Sequence, residues 1–161
     1  MRKPSPAALR ALGWIAGIFA LDRLTKVLAV HYLPFGIPHK VLLFFNLTYV
    51  ENSGAAFGML QNNNLLFTLV TLGLIAFMLY CRREITGYGK IAKLGFLFVL
   101  GGAVGNLYDR LFIGRVIDFL DLTVWPVFNV ADSFITIGGC ILAWTMIMPS
   151  GKKKENGKEN A

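Results

Sequence analysis

The sequence predicts an all-α membrane protein with four transmembrane helices, both termini cytoplasmic, and a small β-sheet element in the first extracytoplasmic loop. Three observations carry this. The composition is too apolar for water: 55% of the 161 residues are hydrophobic and 16% charged, against roughly 45–50% and about 25% in soluble domains. The apolar residues gather into four runs close to spanning length. The cations gather between those runs, mostly on one side.

The four spans are expected at about 11–31, 65–81, 94–113 and 130–148, each near the ~17–25 residues that cross ~30 Å of hydrocarbon. The first run, from Ala11 to His31, follows Arg2, Lys3 and Arg10 as a signal peptide would. It is too long for one, carries Asp22, Arg23 and Lys26, and has no small-x-small cleavage site after it. A retained span is the better reading. The second run, from Leu65 to Tyr80, is nearly free of polar groups, and the fourth is stopped by Pro149, Ser150 and Gly151. One integral membrane domain over 1–161 is expected at this length, with a disordered tail at 150–161 that is too polar to pack.

A net charge of +7 is compatible with nucleic acid or with a membrane surface. Its distribution argues against nucleic acid, because the cations lie in short stretches between apolar runs with no interleaved aromatic surface. Eleven of the sixteen Lys and Arg residues fall in the N-terminus, the loop 82–93 and the tail, whereas the two other loops hold only Lys40, Arg110 and Arg115. The positive-inside rule therefore places both termini and the 82–93 loop in the cytoplasm, and the loops 32–64 and 108–129 outside.

The first outer loop is more than a linker. Val41 to Val50 is β-branched and aromatic, and Asn52-Ser53-Gly54 signals a turn. Short strands around a tight turn, in a β element at about 36–60, are the expectation. Trp125, Pro126 and Phe128 close the second outer loop, where aromatic residues suit the membrane interface. Cys81 and Cys140 have no metal-ligand spacing and read as buried free thiols rather than a disulfide or a nucleophile. His31 and His39 lack the companions a zinc site needs. No metal site is expected.

Ionisable groups inside spans cost on the order of 2.5–3.5 kcal/mol each on insertion scales, so each calls for a role. Asp22 and Lys26 are four apart on one helical face, acid before base, the favourable order for an intrahelical pair. A structural ion pair and a proton relay or catalytic acid both remain open there. Gly101, Gly102, Ala103 and Gly105 give small-xxx-small spacing for close helix packing. Asn106 and Arg110 share a face beyond them, and Asp109 is placed to turn the same way.

Asp118 and Asp132 are 14 positions apart, enough for the chain to leave one helix and enter its neighbour. Two readings stay open. Asp132 can be an acid in the first turn of a helix capped by Asn129, with Asp118 an interfacial anion paired to Arg115 or Arg110. Alternatively the two carboxylates meet near the outer leaflet and share one proton. The ionised one would then activate a water, and the protonated one would donate to the scissile carbonyl and the departing nitrogen.

Five segments together carry a family resemblance: Asp22-Arg23-Leu24-Thr25-Lys26, Glu51 through Gly58, Gly105 through Arg110, Val116-Ile117-Asp118-Phe119, and Phe128 through Ser133. They occur in order, each at the edge of a predicted span. On them the chain resembles the lipoprotein signal peptidases (signal peptidase II) over nearly its whole length. The resemblance implies a cofactor-free aspartyl endopeptidase of the bacterial cytoplasmic membrane, multi-pass, with its site near the extracytoplasmic leaflet. It implies removal of signal peptides from diacylglyceryl-modified prolipoproteins, with cleavage just before the lipidated cysteine. It implies catalysis by Asp118 and Asp132, and substrate binding by Asn52, Gly54, Asn106, Arg110 and Asn129. Asp22 and Lys26 match a mainly structural motif. The expected partners are the lipidated prolipoprotein signal peptide and membrane lipid, with no nucleic acid, and a monomer is expected. One departure is visible: the connection between the aspartates, Asp121 to Trp125, is shorter than in longer members. A small proton- or ion-coupled transporter is the competing reading, with Asp22, Lys26, Asp118 and Asp132 as a relay, although no internal repeat is apparent. A non-catalytic scaffold would leave the polar cluster unexplained.

Overall fold

A computed structural model of the chain describes residues 5–54 and 63–148. The expected strand residues beyond Gly54, including the Ala55-to-Gly58 part of the second motif, lie outside the described residues, as do the N-terminal cations Arg2 and Lys3 and the tail 150–161. The elements are α1 (Pro6–Tyr32), β1 (His39–Leu42), β2 (Phe45–Asn52), α2 (Asn64–Tyr80), α3 (Arg82–Gly87), α4 (Lys90–Phe112), β3 (Val116–Asp121) and α5 (Val130–Ile147).

Helix α1 begins where Ser5 accepts the Ala8 N–H and Pro6 sits at the first turn, a proline being tolerated there because its missing N–H is an orphan anyway. Its 27 residues make it roughly 40 Å long at ~1.5 Å per residue. Helices α4 and α5 are long and apolar enough to cross a membrane, and α2 is a shorter apolar helix. Helix α4 starts at Lys90 rather than near 94, and Arg82–Gly87 is a short helix instead of open loop. The cations of this segment therefore stand on helical backbone, and Gly89, with φ +112°, supplies the break between the two helices.

Beside an apolar core around Phe96, Leu97, Val99 and Leu100, the protein buries a charged cluster and exposes apolar side chains. Lys26, Asn129, Asp22, Asp109 and Asp118 are the largest fully buried side chains, while Leu9, Leu12, Trp14, Leu21, Leu24, Val27 and Leu28 on α1 face outward. A surface of that kind finds its solvent in lipid, and polar groups inside it must pair with one another. The same logic corrects one sequence expectation. Both cysteines are free, but neither is buried: Cys81 is half-buried and Cys140 is exposed on α5, where an outward apolar thiol costs nothing in hydrocarbon.

Glycines set how closely the helices approach α4. Gly101 and Gly105 meet Ile18 and Asp22 of α1, and Gly95 and Gly102 meet α5, where Gly95 packs against Gly138. A Cβ on Gly102 would run into the Ala131 carbonyl oxygen, and one on Gly105 would lie 2.7 Å from Asp22 Oδ2. Gly102→Ala is therefore expected to destabilise the protein by about 1–3 kcal/mol, the usual cost of overpacking. Gly73→Ala, with nothing within 4 Å of its added methyl, is the matched control and is expected to be neutral or slightly stabilising. Thermal unfolding of the two variants in one detergent measures the difference.

The strands form one antiparallel sheet in the order β1-β2-β3. The sheet is larger than the sequence implied: its third strand comes from the second outer loop and carries Asp118. Val50 stands opposite Asp118 and Asn52 opposite Val116, so the end of β2 lies beside the Asp118 carboxylate. After β3 the chain turns sharply. Asp121 accepts the Thr123 N–H at 2.8 Å, and Thr123 takes φ +64°, an unusual conformation for a β-branched residue. Phe128 then hydrogen-bonds back to Leu120 in both directions. That return places Asn129, at the start of α5, next to Asp118.

Candidate active site

Helix α5 opens with a capping box. The Asn129 side chain accepts the Asp132 N–H at 2.9 Å, and the Asp132 carboxylate accepts the Asn129 N–H at 3.3 Å. The cap geometry is thus present, and it does not exhaust what these residues do. Because Asn129 Oδ1 is occupied by a backbone N–H, its amide NH₂ must face the other way. It donates to Asp118 Oδ1 at 2.6 Å and to Asn106 Oδ1 at 3.1 Å. Asn106 in turn donates to Asp132 Oδ1 at 2.7 Å. Asn52 follows the same pattern: its oxygen accepts the Gly54 N–H at 2.9 Å, and its NH₂ donates to Asp118 Oδ2 at 3.1 Å. Gly54 is placed at the cavity and orients Asn52.

The two aspartates are therefore joined through a web of asparagine amides and open onto one cavity of about 220 Å³. Asn52, Gly54, Asn106, Arg110, Asp118 and Asp132 line it, with Phe67 of α2, Val116 and the 125–128 turn completing the wall. Asn129 is fully buried behind it. The Arg110 guanidinium stacks over the Phe67 ring at 5.8 Å and takes no ion-pair partner from Asp118, and Arg115 pairs with Glu51 at 2.7 Å instead. Asp118 is thus not the anion of a surface salt bridge. Burial, and next the charge of Asp132, push its carboxyl up to about 7 from an ordinary 3.8, with the Asn52 and Asn129 amides and the Lys26 charge opposing. A carboxyl so placed keeps its proton up to near neutrality, the state a general acid needs.

Beneath the cavity lies a second buried cluster. Lys26 Nζ reaches Asp22 Oδ2 at 2.9 Å, Asp109 Oδ2 at 2.7 Å and Asn106 Oδ1 at 3.1 Å. Arg23 reaches Asp109 at 2.6 Å and Asp22 at 3.3 Å. Asp22 also accepts the Ala131 N–H, and Asp109 the Ile117 N–H, tying α1 to α5 and α4 to β3. Helical spacing predicts Asp109 on the face of Asn106 and Arg110. The structure turns it to α1, where it neutralises the two cations. The structure adds Phe67 to the cavity wall and Arg23 to the cluster beside it. Nothing in an apolar run marks Phe67, whereas Arg23, one residue from a buried acid and three from a buried lysine, carried a signal.

The fold is a helical bundle with an apolar outer surface, and its candidate site sets two carboxylates on one cavity at the edge of the sheet, the features expected of a membrane-embedded acid–base enzyme. The comparisons with known proteins are in accord. The model of the family described as Signal peptidase (SPase) II matches residues 14–148. A lipoprotein signal peptidase of Caldanaerobacter subterraneus subsp. tengcongensis is 45% identical over 139 residues, covering 85% of this chain and 95% of that one. One of Moorella thermoacetica is 41% identical, covering 88% and 93%. A solved bacterial membrane enzyme superposes with a TM-score of 0.80 at 27% identity, covering 91% of this chain and 92% of its own. The chain belongs to the signal peptidase II family and is a peptidase. The transporter reading finds no support among these relatives.

Proposed function

We propose that the chain is an aspartic endopeptidase that removes the signal peptide from diacylglyceryl-modified prolipoproteins, cleaving before the lipidated cysteine. The observation that carries the aspartic reading is the pairing of Asp118 and Asp132 across one cavity, each held by asparagine amides. Removal of signal peptides from prolipoproteins follows from the family, whose curated relatives are lipoprotein signal peptidases over most of their length.

In the proposed cycle Asp118 begins protonated and Asp132 ionised. Asp132 takes a proton from water as the water oxygen attacks the scissile carbonyl, and Asp118 gives its proton to the carbonyl oxygen. A tetrahedral diol results. Asp132 then protonates the departing nitrogen, Asp118 recovers a proton from one diol hydroxyl, and the C–N bond breaks. Both carboxyls return to their starting states, so no cofactor is required. Arg110, poised over Phe67 at the rim, supplies charged multi-donor contact to the substrate backbone.

The reading includes four spans, α1, α2, α4 and α5, with both termini and α3 cytoplasmic and the sheet at the outer leaflet of the bacterial cytoplasmic membrane. Eleven cations on the cytoplasmic side support that orientation. At the β1–β2 hairpin Leu43 and Phe44 are 85% and 65% exposed, a tip suited to lying in the interface, where acyl chains of a lipidated substrate arrive laterally. The enzyme is taken to act as a monomer.

Incubation of the purified protein with a lipidated prolipoprotein and with its unmodified form tests the substrate. The expected product is the signal peptide released at the residue before cysteine, detected by mass. The unlipidated form should be cleaved at least about tenfold more slowly, a difference of ~1.4 kcal/mol. That is far less than ~0.8 kcal/mol per methylene would give, because the lipid chains already sit in the bilayer. Equal rates in matched detergent would favour a broader protease.

A further inference from the structure

We infer that Lys26 is a positioning residue for the reaction: its ammonium fixes the direction of the Asn106 amide and so aims an N–H at Asp132. The inference rests on the aspartic reading above and goes beyond a structural ion pair.

Lys26 is fully buried and does not line the active-site cavity. Its ammonium carries three donors and no acceptor, and three acceptors surround it: Asp22 Oδ2, Asp109 Oδ2 and Asn106 Oδ1. Two carboxylates would balance two cations, Lys26 and Arg23, without help from Asn106. The third bond therefore has a separate consequence. An atom facing an ammonium must be an acceptor, so the amide oxygen of Asn106 is held toward α1 and its NH₂ toward Asp132 Oδ1, 2.7 Å away. Turned the other way, Asn106 would present oxygen to Asp132, which favours the protonated carboxyl and disables the base. Each of the three asparagines at the dyad is locked by a donor in this way. For Asn52 it is the Gly54 N–H, for Asn129 the Asp132 N–H, and for Asn106 the Lys26 ammonium together with the Asn129 amide. Lys26 is the one side chain in this set that is charged and lies outside the cavity.

Among the described residues, the charged groups around the dyad come from four elements, while α2 contributes only the Phe67 ring to the cavity. Helix α1 brings Asp22, Arg23 and Lys26, helix α4 brings Asp109 and Arg110, β3 brings Asp118 and α5 brings Asp132, while Glu51 of β2 is turned to Arg115. Of these, Lys26 alone bonds the Asn106 amide oxygen. Its loss removes both a lock and a cation, and both effects make carboxylates harder to ionise. The acid limb of the activity–pH profile should then move to higher pH.

The test is Asp22→Asn combined with Lys26→Met, in the full chain, on a lipidated prolipoprotein. The pair removes one charge of each sign, leaves Asp109 with Arg23, and keeps an oxygen for the Ala131 N–H. The expected result is a folded enzyme with kcat lowered at least about tenfold, little change in KM, and an acid limb at higher pH. In an Asn106→Leu background the same pair should cost little further, because the amide it orients is gone. A folded variant with wild-type kcat and an unmoved acid limb overturns the inference, as does full additivity with Asn106→Leu. Where removal of the ammonium prevents folding, Lys26→Arg serves: it keeps the charge, but its planar fork cannot set three donors on these three acceptors. Lowered kcat with wild-type melting supports positioning, and unchanged kcat refutes it. Failure here leaves the dyad standing. The dyad itself fails only if the aspartate substitutions leave turnover intact.

Discussion

Asp118→Asn and Asp132→Asn are each expected to lower turnover of a lipidated prolipoprotein by roughly 10²–10⁴-fold, the range for removing a positioned acid or base. The folded state should survive both. An asparagine keeps the shape of the carboxyl, and the bundle is held by the α4 glycines and the cluster under the cavity rather than by the dyad. If Asp132 served only as the capping-box acid of α5, the order of effects would reverse: activity would be kept, and stability would fall by about 0.3–1 kcal/mol. Either variant retaining half of wild-type turnover would remove the dyad. The pH behaviour adds a second, independent reading. The Asp118 carboxyl is raised to about 7, so the folded protein holds a proton that the unfolded chain gives up near 3.8. The stability linked to that proton is complete below the unfolded value and declines as pH rises from about 4 to about 7, then levels off. Asp118→Asn cannot ionise and should lose that slope, gaining on wild type over the same interval. Activity should fall on the alkaline side as Asp118 gives up its proton near 7. Turnover and thermal melting measured across pH 4–9 check both limbs.

What could be read from the chain divides along the range of the interactions involved. Long apolar runs bounded by Lys, Arg and Pro reveal helices because the signal is local, and Asn129 followed three positions later by Asp132 reveals a helix start for the same reason. Strand β3 was hidden. Val116-Ile117-Asp118-Phe119-Leu120 has no helical period, yet it follows a helix directly, and its partner β2 lies 66 positions away through the Asn52–Asp118 bond. The α4 boundary moved to Lys90 because a lysine near a membrane surface can stand on helix as readily as in loop. The aspartates and asparagines could be named from motif context, but their connections could not. That Asn129 both caps α5 and holds Asp118 depends on the hairpin-like return of Phe128 on Leu120, a tertiary event. Asp109 shows the limit most clearly: helical spacing from Asn106 allowed one face, and the choice between faces was made by two cations on a different helix.

Those cations carry the second large effect. Replacing Lys26 alone by Met should destabilise the protein by about 3–5 kcal/mol, the cost of breaking a fully buried ion pair. Asp22 and Asp109, both fully buried, would then keep Arg23 as their remaining ion-pair partner among the described residues. Asp109→Leu should be as costly, because it strands Lys26 and Arg23 together and also removes the acceptor for the Ile117 N–H. The magnitude belongs to the uncompensated charge rather than to the attraction that was lost. Taking two ions out of a polar solvent costs nearly as much as their pairing returns, so deleting both members of a pair is far milder than deleting one. Asp22→Leu with Lys26→Met should therefore recover much of the stability, short by what the Ala131 N–H loses in its acceptor. Unfolding of the three proteins in one detergent, at a pH where the carboxylates are ionised, measures the cycle. If Lys26→Met alone melted like wild type, the cluster would not be what joins α1 to the bundle, and close packing of Ile18 and Asp22 against Gly101 and Gly105 would have to hold that helix by itself.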